Sequence, residues 1–368
     1  MPRIVPKPPQ LSSKTSPLSR RFAALLCPVM LACLPALLSG CYVLQAAGGQ
    51  AEVISRSHPI AAALSDPAID PATRAQLQRV VEAREFAVRQ LGLPDGRSYR
   101  DFADLGRPYV VWNLVAAPEF SVRPRRWCFP FAGCIAYRGY FKESDARAAA
   151  TRYTRHGDDV MVGGVGAYST LGHFADPVFG SMLRWPETRL VGTIFHELAH
   201  EQLYVKDDSA FNEAYASVIE EEGVRRWLSS QGREPALAGY AMQLEREAAF
   251  ATLLRTTRRR LARLYASDTP IAEMRIEKQR EFGRLKHEYQ RLRTAWAGYP
   301  GFDAWFAQTL NNAHLAAVAT YQDCAPGLRR ELARAGSLPA FQARAAALAK
   351  RPRTERHAAV CRYPGAPP

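Results

Sequence analysis

Two histidines, four residues apart in an apolar stretch, constrain this chain more than any other feature. His196 and His200 stand within Val191–Glu201, whose other residues are mostly apolar or small. Positions four apart lie on one face of an α-helix, so both imidazoles can bind one ion. Neutral imidazoles suit zinc. Glu197 is the expected general base, because its carboxylate can take a proton from water at the metal. The pattern predicts a buried helix that holds one Zn²⁺ per chain.

A catalytic zinc site needs a third protein ligand and an open fourth position. Glu213 is the predicted third ligand, and twelve residues separate it from His200. The polar turn Lys206–Ser209 divides two helical patterns, and positions 200 and 213 are equally far from 206.5, the midpoint of the resulting hairpin. The two side chains therefore face each other at one level of a helical hairpin. Glu220, Glu221 and Glu222 lie about 10–13 Å further along the helix axis, so they either support the site or are solvated.

Longer motifs give a family resemblance. Asn212-Glu213-Ala-Tyr-Ala-Ser217 resembles the Asn-Glu element that supplies the third zinc ligand of gluzincin peptidases. The further matching segments are Ala117–Ser121, Trp127–Phe141, Gly164–Gly172, Asp176-Pro177 and Asn311–Ala313. Together they resemble a bacterial family of predicted zinc aminopeptidases over roughly residues 41–350. The resemblance implies a zincin-like metallopeptidase, typically made as a lipoprotein. It implies metallopeptidase chemistry more firmly than exopeptidase specificity.

Periodicity predicts a helix-rich α+β fold with a small sheet and an active-site helical hairpin. The expected helices span 71–91, 145–156, 187–204 and 209–229, and the expected strands 109–115, 134–141 and 159–168. By domain, we expect a tether at 41–70, a metallopeptidase core at 71–235, and a long arginine-rich helical hairpin at 236–297 broken near Asp268–Pro270. A C-terminal helical segment at 298–368 packs on the core, with an irregular tail after Pro352.

The N-terminus has the form of a lipoprotein signal peptide, residues 1–40. Basic residues precede an apolar run, Phe22–Leu38, that is too short for a comfortable membrane span. Leu38-Ser39-Gly40-Cys41 resembles a lipobox, in which Cys41 would be acylated. Tyr42, instead of an aspartate, follows this cysteine, which by resemblance to Gram-negative sorting rules suggests the outer membrane, facing the periplasm. An ordinary signal peptide is the alternative.

Four cysteines remain in the mature chain, which suits export to an oxidising compartment. They are Cys128, Cys134, Cys324 and Cys361. Three pairings are possible, and we favour Cys128–Cys134 with Cys324–Cys361, because each then closes a loop within one region. Zinc binding by these four is less favoured, since no Cys-x-x-Cys spacing occurs.

Substrate contacts are less constrained by the sequence. The glycine-rich strand at 159–168 either offers a free edge to a peptide or is a twisted inner strand. Gly163–Ser169 contains no acidic residue to bind an α-amine, which weakens an exopeptidase assignment. Candidates for donating a hydrogen bond to the oxyanion are Tyr168, His173, His314 and Tyr321, and Asn312 is a candidate for backbone or substrate contacts.

The predicted function is zinc-dependent hydrolysis of peptides, as an aminopeptidase. One alternative is an endopeptidase or an amidase of cell-wall peptides, and another is a non-enzymatic envelope lipoprotein with a structural zinc. Residues 1–40 hold five of the 49 basic residues and no acid, so the mature chain has 44 basic and 35 acidic residues, a net charge of +9. No aromatic platform accompanies the arginines at 255–263, so we expect no nucleic-acid partner.

Overall fold

The computed structural model describes residues 42–129, 133–170, 174–319 and 324–361. The chain divides into two compact units, residues 1–51 and 52–368. Of the first unit, residues 42–51 are described and are helical. The predicted signal peptide and Cys41 lie outside the described residues.

The described residues form thirteen helices and eight strands, a helix-rich α+β fold. In chain order the helices are α1 (residues 42–56), α2 (Ile60–Ser65), α3 (Pro71–Leu91), α4 (Glu143–Arg155), α5 (Glu187–Gln202), α6 (Ser209–Ser230), α7 (Glu234–Tyr265), α8 (Ile271–Ala295), α9 (Asp303–Phe306), α10 (Asn312–Ala319), α11 (Ala325–Ala335), α12 (Leu338–Ala349) and α13 (Arg353–Val360). The strands are β1 (Ser57–Pro59), β2 (Asp101–Ala103), β3 (Val111–Pro118), β4 (Trp127–Phe129), β5 (Gly133–Ile135), β6 (Arg138–Tyr140), β7 (Asp158–Val165) and β8 (Val178–Phe179).

Helix α3 has the bounds that its sequence predicts. The Asp70 carboxylate accepts a hydrogen bond from the Thr73 backbone N–H at 2.9 Å, and Pro71 occupies the first helical position. Gly92 ends the helix in the left-handed conformation, with φ of 66°. The face that packs into the core is formed by Leu77, Val80, Ala83, Ala87 and Leu91.

Two three-stranded sheets and a two-stranded ribbon make up the β structure of the described chain. One sheet has the order β1-β2-β8 and the other β6-β3-β7, with β3 antiparallel to both neighbours. Helices α4 and α10 both pack on β3 and β7. The predicted strand at 134–141 is two short strands, β5 pairing with β4 and β6 with β3.

The main core lies between α3, α5 and α6, and α11 packs against α6. A second apolar cluster joins α7 and α8 to the segment that carries Phe306 and Leu310. On these two helices, Arg260 pairs with Glu281 at 2.5 Å and with Glu288 at 2.9 Å. Part of the arginine-rich surface is therefore ion-paired within the helix pair.

Two further segments differ in structure from what the sequence predicts. Residues 53–65 were expected in a tether, but Val53, Ile60 and Ala63 are buried in the core and β1 pairs with β2. Those apolar residues are too few and too dispersed to show a period in the sequence. The tail after Pro352 was expected to be irregular, but α13 forms there, because Arg356 and Val360 are buried against the rest of the fold.

Two disulfides are present among the described residues, Cys128–Cys134 and Cys324–Cys361. The first joins neighbouring strands β4 and β5, and the second joins the start of α11 to the end of α13. No helix within the described residues is both long enough and apolar enough to cross a membrane.

Candidate metal centre

Helix α5 carries the two histidines on a partly open face. Its opposite face is fully buried, and includes Leu190, Ile194 and Leu198. His196 and Glu197 are half-buried, and His200 is buried. The spacing of four residues places the imidazole rings together, with centroids 4.8 Å apart. This is the side-by-side arrangement that the sequence spacing predicts.

Helix α6 brings Glu213 to both imidazoles. The Glu213 Oε2 atom lies 3.3 Å from His196 Nε2, and its Oε1 atom lies 3.7 Å from His200 Nε2. Ligand atoms of all three residues lie within 4.8 Å of one another. Residues 203–208 connect the two helices, and Asp208 accepts a hydrogen bond from the Phe211 backbone N–H to begin α6. The short connection therefore brings the predicted third ligand into place.

Glu220, two turns further along α6, contacts the other side of the His196 ring. Its Oε2 atom lies 3.0 Å from His196 Nδ1. Gly192 makes room for this carboxylate, because a Cβ at that position would lie 2.9 Å from Glu220 Oε1. A carboxylate at Nδ1 holds the proton there and leaves Nε2 free to act as a ligand. The sequence left two roles open for Glu220, support of the site or solvation at the helix surface. Its contact with His196 favours support of the site.

The cluster contains more carboxylates than imidazoles. Burial opposes ionisation of Glu213, but hydrogen bonds to His196 and His200 outweigh it and lower its pKa to about 2. Burial also disfavours the charged form of His196, yet Glu213 and Glu220 raise its pKa well above the usual value. Burial raises the pKa of Glu197, and the two histidines offset part of that rise. Three carboxylates thus surround two imidazoles.

These residues fit a zinc ion. Ligands at about 2.0–2.2 Å from a tetrahedral zinc are separated by about 3.3–3.6 Å, close to the observed 3.3 and 3.7 Å. A divalent cation would also balance the carboxylates. His200 Nδ1 is buried with no hydrogen-bond partner in the described part of the chain.

Sequence reasoning missed two residues near Glu197. The Ser169 hydroxyl lies within hydrogen-bonding reach of Glu197 and, at 3.1 Å, of Asp176 Oδ2, and its single proton can go to one of these carboxylates at a time. Tyr99 is buried, and the charges of Glu197, Asp176 and Glu201 add to the effect of burial in raising its pKa. Tyr99 has φ of 60°, a conformation rare for a non-glycine residue. No sequence motif surrounds Tyr99, and only its positive φ and its neighbours distinguish it.

Three of the residues proposed from sequence for oxyanion or substrate contacts make contacts with other residues of the protein. Tyr168 packs between the rings of Phe141 and Phe179. Asn312 donates to the Glu119 carbonyl, and His314 contacts Asn311 and Gln308. Within the described chain, no hydrogen bond joins Asn312 or His314 to the histidines of α5 or to Glu213. His173 and Tyr321 lie outside the described residues.

A cleft of about 470 Å³ opens beside Glu197. One wall is the end of β7 and the residues after it, and another is the start of α5. The glycines of β7 do not leave its surface bare. A Cβ at Gly164 would lie 2.4 Å from the Tyr109 ring, and one at Gly166 would lie 2.9 Å from Trp185. Gly164, in β7, and Gly166, just after it, accommodate two aromatic side chains. They therefore do not leave a bare surface for a peptide, which was one of the two roles considered from sequence. β7 nevertheless ends one side of its sheet, since it pairs with β3 alone among the described strands.

Comparison with known proteins places the chain. A family model described as "Putative aminopeptidase" matches residues 41–360. The chain belongs to this family. The matched range contains His196, Glu213 and the residues that line the cleft. No curated protein and no solved structure matches the chain.

Proposed function

We propose that this protein is a zinc-dependent peptidase of zincin-like architecture, with an active-site hairpin formed by α5 and α6. The observation that carries the proposal is the convergence of His196, His200 and Glu213 beside Glu197, whose own side chain lines the adjacent cleft. His196, His200 and Glu213 would hold the metal. The ion would supply Lewis-acid polarisation of a peptide carbonyl and activation of water.

Glu197 acts as the general base and then as the general acid. Its carboxylate borders the cleft, one residue from His196, where it can accept a proton from water and return it to the leaving amine. Ser169 can orient this carboxylate when its hydroxyl proton points to Glu197 and not to Asp176. Glu220 orients the His196 ring.

The cleft suits an extended peptide. The end of β7 lines it, and the edge of β7 that no described strand pairs with can hydrogen-bond to a substrate backbone. The family description favours aminopeptidase activity. Among the described residues that line the cleft, Glu197 is the single acidic one, so no separate carboxylate there binds an α-amine. Peptides with a free or an acetylated N-terminus distinguish an aminopeptidase from an endopeptidase.

We further propose that Cys41 is acylated and tethers the enzyme to the outer membrane, facing periplasmic peptides. The proposal rests on the sequence of residues 38–41 and on the apolar run before it.

The decisive experiment compares the zinc-loaded protein with its Glu197→Gln variant on a peptide library. The amide is nearly isosteric but cannot accept the proton, so turnover should fall by roughly 10²–10⁴-fold while bound zinc is unchanged. Zinc content is measured by mass spectrometry, and cleavage by chromatography. Glu201→Gln, four residues along the same helix, is the matched control and should keep full turnover. An active Glu197→Gln protein would remove this residue from the mechanism, and a zinc-loaded wild type that cleaves no peptide would contradict the proposal.

A further inference from the structure

Two arginines line the cleft beside Glu197. Arg184 follows β8 and Arg189 lies in the first turn of α5, and both are exposed to solvent. Neither has a carboxylate within 4.0 Å among the residues that the structure describes. Elsewhere many arginines are paired, such as Arg260 with Glu288 and Arg329 with Glu221. The cleft therefore presents two cationic groups that the fold does not neutralise by direct contact.

The Arg189 guanidinium has a fixed neighbour. Its central carbon lies 4.2 Å from the centre of the Trp185 ring, a distance typical of a guanidinium stacked on an indole. Trp185 is itself held against Gly166, where any side chain would collide with it. The guanidinium is thus supported on a rigid aromatic surface, which keeps its planar edge available for a carboxylate.

The charge of Arg189 does not stabilise α5. The N-terminal turn of a helix repels cations, because the free N–H groups there carry partial positive charge. Loss of hydration lowers the pKa of Arg189, and the more distant Glu220 and Glu247 only partly oppose this. A cation kept at such a position gains most from an anionic ligand.

Arg189 and the general base lie on one stripe of α5. Arg189, Thr193 and Glu197 are spaced by four residues and all line the cleft. Eight residues of helix span about 12 Å, which an extended peptide covers in about four residues. A carboxylate bound at Arg189 therefore lies within about four residues of a peptide bond positioned at Glu197.

We propose that Arg189, stacked on Trp185 and assisted by Arg184, is a specificity-determining residue that selects peptides with a carboxylate within about four residues of the scissile bond. The inference rests on the proposed peptidase function and names its substrate class. The carboxylate comes either from an Asp or Glu side chain or from the C-terminus of a short peptide. Arg189 takes no part in the bond cleavage itself.

The test uses matched peptides and the zinc-loaded full-length protein. One pair differs only by Glu or Gln at each position around the cleaved bond, and a second pair by a free or an amidated C-terminus. The acidic member should have a kcat/KM about 10- to 100-fold higher, the range expected for one charge-assisted hydrogen-bonded pair. Arg189→Gln should abolish this preference while changing cleavage of the neutral peptide less than threefold. Arg263→Gln, an exposed arginine on α7, is the control and should keep the preference.

A binding measurement separates recognition from turnover. Calorimetry with the Glu197→Gln protein should show tighter binding of the acidic peptide than of its amide, and the double variant Glu197→Gln with Arg189→Gln should bind both equally. Arg189→Lys should recover part of the preference, because it retains charge but not the two-pronged donor. If acidic and neutral peptides are cleaved and bound equally well, the inference is wrong although the peptidase proposal stands. If no peptide is cleaved at all, the proposed function itself fails.

Discussion

At the residue scale, Glu213 and Glu220 flank the same imidazole ring with different expected roles. Glu213 faces Nε2 of both histidines, whereas Glu220 faces Nδ1 of His196 alone. A ligand contributes directly to zinc affinity, while a residue that orients a ligand contributes about 10- to 100-fold. The two carboxylates can therefore be distinguished by metal content.

We predict that Glu213→Ala is isolated without zinc and is inactive, because one of three protein ligands is missing. Glu220→Ala should retain zinc after mild chelator dialysis but bind it about 10- to 100-fold more weakly. Zinc per chain is measured for wild type and both variants after the same dialysis. Full zinc in Glu213→Ala with depletion in Glu220→Ala would transfer the third ligand to Glu220.

His314 is a second residue whose environment has a measurable consequence. It is buried with its ring against Asn311 and Gln308, and burial lowers its pKa to about 4. The unfolded chain takes up this proton near the ordinary histidine pKa of about 6.5. The folded state therefore binds fewer protons between pH 6.5 and pH 4, and its contribution to stability is complete above pH 6.5 and is lost as pH falls.

His314→Gln should remove this acid sensitivity. Between pH 7.5 and pH 5, wild type should lose about 2 kcal/mol more unfolding free energy than the variant. Urea denaturation at both pH values, on metal-free samples, measures the difference, and groups common to both proteins cancel. Equal losses in the two proteins would show that His314 is accessible to protons in the folded state.

At the element scale, the site depends on how closely α5 and α6 approach. Gly192 on α5 leaves space for Glu220 and Val224 of α6. The start of α6 is also held from the C-terminal segment, since Asp208 accepts hydrogen bonds from Arg356 at 2.8 Å and pairs with His357 at 2.8 Å. Cys324–Cys361 ties that segment to α11. The helix that carries Glu213 is therefore fixed at its beginning by residues nearly 150 positions away.

Gly192→Ala tests the helix contact. Alanine favours an exposed helix by up to about 1 kcal/mol over glycine, but here its methyl group would meet the Glu220 carboxylate. We expect zinc affinity to fall about tenfold, as for loss of Glu220 itself, with unchanged helical content. Competition with a chelator measures the affinity and circular dichroism the helicity. Gly239→Ala, where a Cβ would have nothing within 4 Å, is the control. Unchanged zinc affinity in Gly192→Ala would mean that Glu220 does not support His196.

At the scale of the whole molecule, the proposed anchor residue, Cys41, precedes the larger compact unit in the sequence. The described chain from residue 52 onward forms one compact unit, and the predicted lipidation site precedes it. Part of the expected tether, residues 53–65, belongs to the fold. The segment between Cys41 and the compact unit therefore has fewer residues than the predicted tether.

Cys41→Ser should abolish labelling by a radioactive fatty acid and release the protein from the membrane fraction. The two or three acyl chains expected there each add about 0.8 kcal/mol per buried CH₂, so their loss removes the anchor. Cys33→Ser, within the predicted signal peptide, should leave labelling intact. Persistent labelling of Cys41→Ser would refute the lipobox interpretation.

Features that depend on neighbouring residues could be predicted from the amino-acid sequence. The four-residue spacing of His196 and His200 determines that they share a helix face, and the short turn at 206–209 determines that Glu213 returns to them. Helices such as α3 and α5 were predicted nearly to the residue, because caps and apolar periods act within one or two turns.

The distant residues that meet at this site are brought there by tertiary packing. Glu220 contacts His196 because Gly192 permits a close helix contact. The Arg189 guanidinium stacks on Trp185, and Gly166 leaves room for the indole. Asn312 hydrogen-bonds to Asp159 of β7 and to the Glu119 carbonyl, and His314 contacts Asn311 and Gln308. Such contacts depend on packing between segments far apart in the chain, and no local period or spacing records them.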